Sequence, residues 1–277
     1  MRYLFIGIVF IALSCTTVKM SVEAPKSIAD QSTSIKVSKV SSKLFPGASR
    51  SIKFEKDFVG TFKDGWRVTS DRYGRTPGGL FSEEAIKRSF LLNFGIGMND
   101  VVSKTTDKFQ FTIEDKSQSL MVFCHQLYLG ESKSYQIKEI FDFSKGVRQV
   151  SNFTATMNFT SDTLTKPWLL QLGYDRETPG GIVATIMKEG MANEVGIITN
   201  QIDTIQITPL FISHATSSKG KHAMPFSVIG GYEFKVAENA IGWVDLFNST
   251  IGFSNNISSN HQLIIAAAST AIFLRNR

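Results

Sequence analysis

The chain has 277 residues, 42% of them hydrophobic and 19% charged, which is enough apolar material for a sizeable core and excludes a disordered chain. Its net charge of +6 is confined to the start: residues 16–56 hold eight basic side chains (Lys19, Lys26, Lys36, Lys39, Lys43, Arg50, Lys53, Lys56) against three acidic ones (Glu23, Asp30, Glu55). Beyond them the signs balance, so the globular part lacks the electrostatic footprint of a phosphate-backbone binder, and no nucleic-acid partner is expected. The 22 Phe residues, with many Val, Ile and Thr, favour pleated sheet, whose half-buried surface suits branched and aromatic side chains.

Taken in chain order, Met1-Arg2 is a short positive start and Leu4–Leu13 an apolar run of about ten residues, the length of a cleavable signal and too short to span a bilayer. Residues 1–14 read as a signal peptide. Ala12-Leu13-Ser14-Cys15 resembles a bacterial lipobox, with Cys15 as the lipid attachment residue, although Ala12 stands where such motifs usually carry Leu. Ordinary signal cleavage at the same bond is the competing reading, since Ala12-x-Ser14 fits a small-x-small site. Either way the chain is exported. A lipidated Cys15 makes it a membrane-anchored lipoprotein of the bacterial cell envelope, on the periplasmic face or the cell surface. Cys124 is then the one remaining cysteine, and no internal disulfide is expected.

Residues 15–50, rich in Ser, Lys and Thr, read as a lipid anchor followed by a flexible basic tether suited to an anionic membrane surface. The alternation Ile35-Lys36-Val37-Ser38-Lys39-Val40 leaves room for an edge strand added to the domain. Residues 51–277 read as a single β-rich domain.

Within that domain Trp66 to Gly79 lies over Trp168 to Gly181 without a gap, and both segments end in Thr-Pro-Gly-Gly (76–79 and 178–181), where Pro sets φ and Gly admits positive φ. A second echo pairs Phe109-Gln110-Phe111-Thr112-Ile113 with Tyr232-Glu233-Phe234-Lys235-Val236. Each alternates strictly and is followed by a second apolar strand, Leu120–Phe123 or Ile241–Val244, so each reads as a β-hairpin. Two copies of one β-unit, near 52–150 and 151–259, account for both echoes if the second half carries insertions around 213–221.

Recognisable chemistry is sparse. His125, His214, His222 and His261 form no metal-ligand spacing, and neither a metal nor a cofactor is expected. Cys124 and His125 are neighbours on a strand and point to opposite faces, so they cannot share a hydrogen bond as nucleophile and base. Gly230-Gly231 is too short to cradle phosphate and reads as a turn. Glu83-Glu84, after Ser82, suit the start of a short helix. The polar cluster with most claim to ligand binding is a pair of loops, one carrying Arg72, Tyr73 and Arg75 and the other Tyr174, Asp175 and Arg176, where aromatic rings beside charges can grip a polar ligand. Bracing of the strands that these loops join is the competing reading.

Ser258-Ser259-Asn260 offers helix caps, and Leu263–Leu274 is apolar on every side before Arg275-Asn276-Arg277, whose charges suit a helix C-terminus. Such a core helix, over 260–275, has to be surrounded, and in a chain of strands a barrel surrounds it. The fold class expected is therefore mainly β: a closed or strongly curled antiparallel barrel built from two related halves around a hydrophobic C-terminal helix.

Gly230-Gly231-Tyr232-Glu233-Phe234, then Ile241-Gly242-Trp243-Val244-Asp245, then Leu263 to Ala268 resemble the last hairpin and core helix of the LURP-one group. That group belongs with tubby proteins and phospholipid scramblases to the tubby C-terminal-like fold, in which a twelve-stranded barrel wraps the helix. The resemblance implies that architecture. It does not carry over the tubby phosphoinositide site, since no matching pair of basic residues is found, and it does not supply scramblase activity.

The function expected is a non-enzymatic binding or scaffold module at the cell envelope, its partners being the membrane through the N-terminal lipid and a protein, lipid or glycan. One alternative is an envelope hydrolase or transferase whose site joins His214 or His222 to Asp71 or Asp175. Another is a structural component that assembles through exposed sheet edges.

Overall fold

The computed structural model describes residues 20–38, 50–74, 96–137, 141–160, 166–177, 194–217 and 220–275, with backbone alone in segments that include 72–74, 175–177, 213–215 and 221–227. Cys15, Arg75, Glu83-Glu84 and both Thr-Pro-Gly-Gly turns lie outside the described residues.

Twelve strands occur among the described residues: β1 (Ser32–Ser38), β2 (Arg50–Phe54), β3 (Val59–Gly74), β4 (Ile96–Glu114), β5 (Ser119–Ile137), β6 (Phe141–Phe159), β7 (Trp168–Glu177), β8 (Val195–Thr199), β9 (Thr204–Ser217), β10 (Gly220–Val236), β11 (Asn239–Asp245) and β12 (Thr250–Ser254). From β2 to β12 each pairs antiparallel with its neighbours in the chain, and β1 lies between β12 and β2, closing the cylinder. Helix α1 (Ser259–Arg275) runs inside it. The expected fold class is therefore observed.

Period-two alternation explains the wall. Phe109, Phe111 and Ile113 of β4 face inward and are buried, as are their partners Cys124, Val122 and Leu120 on β5 and, next along, Ala155, Met157 and Phe153 on β6. The intervening Lys108, Gln110 and Thr112 face outward, as do Thr154, Thr156 and Asn158, so the cylinder is apolar within and largely polar without. Cys124 inside and His125 outside follow the same alternation.

The helix starts where expected. The Ser258 hydroxyl accepts the backbone N–H of His261 at 3.3 Å, the geometry of a capping serine. Its run from Leu263 to Ala271 is buried on every side, each large side chain contributing about 1.5–3 kcal/mol by leaving water. Ala266, Ala267 and Ala268 keep the helix slim enough for the surrounding strands. Thr270 satisfies its hydroxyl internally by donating to the Ala266 carbonyl at 2.7 Å. Among the described residues no helix is long and apolar enough to cross a membrane.

Residues 20–38 correct the reading of 15–50 as a tether. Met20–Gln31 forms a strap down the outside of β10 and β11. The Val22 N–H donates to Asp245 Oδ2 at 3.0 Å and Asn248 Nδ2 donates to the Met20 carbonyl at 3.1 Å. Further on, Ile28 is buried with Ala240 and Trp243. A 3₁₀ turn, Ala29–Gln31, then delivers the chain into β1, where Ile35 and Val37 point into the core. The competing possibility of a strand at Ile35 is realised as the closing stave of the barrel rather than as an edge.

Gly230-Gly231 is not a turn either. It lies in β10 at a register shift, where a Cβ on Gly231 would meet the Val244 carbonyl oxygen at 1.8 Å and one on Gly230 would meet Ile212 at 2.4 Å. Close packing of backbone and strap requires glycine there.

The two sequence echoes fare differently. Phe109–Ile113 and Tyr232–Val236 lie on β4 and β10, the first strands of two hairpins six strands apart, as two six-strand halves require. Trp66 and Trp168 fall on β3 and β7, four strands apart. Trp66 is half exposed in the irregularity between Asp64 and Arg67, whereas Trp168 is buried, so these tryptophans do not occupy equivalent places. The extra length of the second half is supplied by β8 and β9; segment 213–221 is the end of the β9–β10 hairpin.

Candidate functional site

The two ends of the barrel differ. At the narrow end, strands are joined by tight turns: Asp115 Oδ1 accepts the N–H groups of Ser117 and Gln118, both at 2.7 Å, and Asn200 Oδ1 those of Ile202 and Asp203 at 2.9 and 2.7 Å. These side chains mimic a backbone turn. At the wide end β3 to β7 and the β9–β10 pair run on past their neighbours. From Asp107, level with the end of the core, β4 extends to Ile96, about 36 Å along the strand. Tall strands thus rise past the point where α1 finishes over part of the circumference.

The floor of this cup is a buried ionic network. Arg275 donates from its two terminal nitrogens to Glu194 Oε1 and Oε2, both at 2.6 Å. The Tyr232 hydroxyl donates to Glu194 Oε2 and accepts from Arg275 at 3.0 Å. Phe153 and Tyr232 flank the guanidinium, whose carbon is 5.8 and 5.9 Å from the ring centres. Burial alone disfavours the Arg275 charge, but the hydrogen bonds and charge of Glu194 and the contact with Tyr232 outweigh it and hold the group above its ordinary value. Burial also raises the Tyr232 phenol. Nearby, Arg67 grips the buried Asp107 through Nε and a terminal nitrogen at 3.1 and 2.7 Å. Both acids are thus bound by arginine, an arrangement that fixes structure.

Above the floor the walls carry hydroxyls. Register places Thr69, Thr105, Tyr128, Ser151 and Tyr174 in one row across β3 to β7. The row directly below contains the buried Asp107, Phe153 and Leu172. Partners directly opposite share a face, so the whole row looks into the cup. Thr69 and Thr105 join their hydroxyls at 3.1 Å, and Tyr128 and Tyr174 are half-buried. Alcohols and phenols in a concave row can hydrogen-bond a polar ligand in either direction.

The nominated ligand residues belong to this end, though not as loops. Arg72 and Tyr73 pair with Val102 and Val101, and Asp175 and Arg176 with Val150 and Gln149; all lie in strands. The groups on β3 and β7 are four strand spacings apart, about 19 Å along the sheet, so they form opposite parts of one rim and not a single grip. Tyr174 is the nominee with a described side chain, and it stands in the hydroxyl row.

His214 and His222 are on the β9–β10 pair at the same end, in neighbouring register. Asp175 is two strands from β9 and Asp71 six strands away, so of the two aspartates Asp175 is the one on a strand near these histidines. Among the described residues no group of His, Cys, Asp and Glu is arranged to hold a metal.

Glu194, Tyr232 and the hydroxyl row escaped the sequence reading. Arg275 was read only as a charge that suits a helix C-terminus; it is also buried, and its partner lies 81 residues away in sequence, with no local signal to announce it. Tyr232 was legible as an inward strand residue but not as a hydrogen-bond donor.

A second concavity, about 550 Å³, lies on the outer face of β3 to β6 beside the Gly65-Trp66 irregularity, lined by Lys63, Lys108, Phe123, His125 and Thr154. It is open and shallow, and Lys108 covers the Trp66 ring at 5.1 Å. In comparisons with known proteins the chain matches no family model, no curated sequence and no solved structure.

Proposed function

We propose that the chain is a non-enzymatic binding module, anchored at the bacterial cell envelope through a lipid on Cys15, which takes a polar ligand in the cup at the wide end of the barrel. The observation that carries this reading is the row Thr69, Thr105, Tyr128, Ser151 and Tyr174, set above a lumen filled by α1. Substrate has no interior to enter, and the acids nearest the cup are engaged by Arg275 and Arg67. Hydroxyl-rich concave surfaces fit polyhydroxylated or headgroup-like ligands, which exchange hydrogen bonds with them. Kinship with the tubby C-terminal-like fold is part of the proposal and rests on architecture: twelve strands and an enclosed C-terminal helix.

Thermal unfolding with envelope glycans, lipid headgroups and peptides tests the reading. A ligand that raises Tm of the wild type, and does so much less for Tyr174→Ala, supports it. Turnover of an ester, phosphoester, peptide or glycoside that is abolished by His222→Ala or Asp175→Asn would establish the hydrolase or transferase reading instead.

A further inference from the structure

The strap fixes which end of the barrel is nearest the anchor. Met20 is held at the wide end, where its carbonyl accepts from Asn248 in the turn after β11 and the Val22 N–H reaches Asp245. The strap then descends to the narrow end, where the Gln31 carbonyl accepts the Asn255 N–H at 2.8 Å. A lipid on Cys15 is therefore separated from the barrel by the five residue steps to Met20, at most about 18 Å of extended chain and typically about 12 Å for a loose one. The wide end faces the bilayer.

Walls at that end reach farther than this tether's typical length: β4 to β6, and the β9–β10 hairpin next to the strap. Leu210, Gly231 and Asp245 share one level across β9, β10 and β11. From Leu210, β9 continues to Ser217, about 23 Å along the strand, or roughly 18 Å of height at a usual barrel tilt. With the lipid inserted and the tether at its typical length of about 12 Å, the headgroup layer lies below the end of this hairpin. Its chemistry also differs from the other walls. From Thr204 to Tyr232 the sequence contains no Asp or Glu, and its charged residues are Lys219 and Lys221. The remaining walls mix signs, with Asp71 beside Arg72, Glu131 near Lys133, and Asp175 beside Arg176. Cations without acids suit an anionic lipid surface, where each contributes about 1 kcal/mol.

We propose that the β9–β10 hairpin is a membrane-contact element that rests on the anionic headgroup layer of the bilayer holding Cys15, so that the cup opens toward the membrane. The inference rests on the acylation of Cys15 proposed above, and its test separates the two. Full-length protein is placed in vesicles of phosphatidylethanolamine and phosphatidylglycerol that contain a headgroup-nitroxide lipid. It carries a fluorophore on Thr216→Cys, exposed near the hairpin end, or on Lys116→Cys, exposed in a narrow-end turn; protein with neither substitution measures background from the buried Cys124. Mass spectrometry of the same samples reads the lipid on Cys15. The expected result is acylated protein quenched strongly at 216 and little at 116. Acylated protein quenched equally at both, or more at 116, overturns the membrane-contact element alone. Absence of the lipid overturns the anchor and this element together. As a second arm, a Gly-Ser spacer of about 20 residues inserted after Lys19, combined with Lys221→Glu, returns quenching at 216 to the level at 116. Quenching that survives both changes shows that neither tether length nor charge holds the hairpin down, and overturns the proposal.

Discussion

Arg275 closes α1 with a charge that the interior tolerates because Glu194 meets both terminal nitrogens and Tyr232 completes the set. A buried charge left without its partner is far costlier than an exposed ion pair. Glu194→Ala is therefore expected to lower stability by about 3–5 kcal/mol in denaturant unfolding, whereas loss of under 1 kcal/mol would mark the pair as solvated. Tyr232 adds a pH signature. Burial raises its phenol above the ordinary value, so the unfolded chain releases that proton first, near about pH 10. The stability supplied by the neutral phenol is complete below that pH and declines as pH rises through and above it. Tyr232→Phe should remove this alkaline decline; an unfolding profile between pH 9 and about 11 that is identical in wild type and variant would contradict the network. The sequence could announce the end of the helix at Arg275, because caps and charges are local. It could not announce Glu194, which is one acid among many until the barrel brings it to the floor of the cup.

At the scale of elements, legibility tracked burial. Helix α1 was readable because no face is polar from Leu263 to Ile272 apart from Ser269 and Thr270, and the hairpins because Phe109-Phe111-Ile113 and Tyr232-Phe234 alternate against outward polar residues. The tall parts of β3 and β7 were read as loops because the period of two that reveals a strand fades in the sequence at 71–74 and 174–177. Strand β1 was obscured by its Ser- and Lys-rich surroundings, although Ile35 and Val37 carry the inward signal. This correction is testable by truncation. Removing residues 20–38 along with everything before them should open the cylinder between β12 and β2, uncover Trp243, and abolish cooperative thermal unfolding. Removing residues 1–19 alone should leave Tm unchanged. If residues 15–50 were a tether, the two truncations would behave alike.

For the whole molecule, the helix fills the lumen, tight turns join strands at one end, and walls of unequal height rise from the other around a hydroxyl-lined cup. The interior is apolar, and the exterior mixes polar side chains with exposed apolar ones such as Phe123, Leu169 and Ile197. With Cys15 lipidated as proposed, the strap would set the stance, since it leaves the barrel at the wide end five residue steps from that residue. Hydrogen–deuterium exchange of the full-length protein, on anionic vesicles and after release from them, tests this most directly. The account predicts slowed exchange on vesicles in the wide-end parts of β9 and β10, with the narrow-end turns at 115–118, 200–203 and 237–238 unchanged. Protection concentrated in those turns, or spread evenly over both ends, would contradict it.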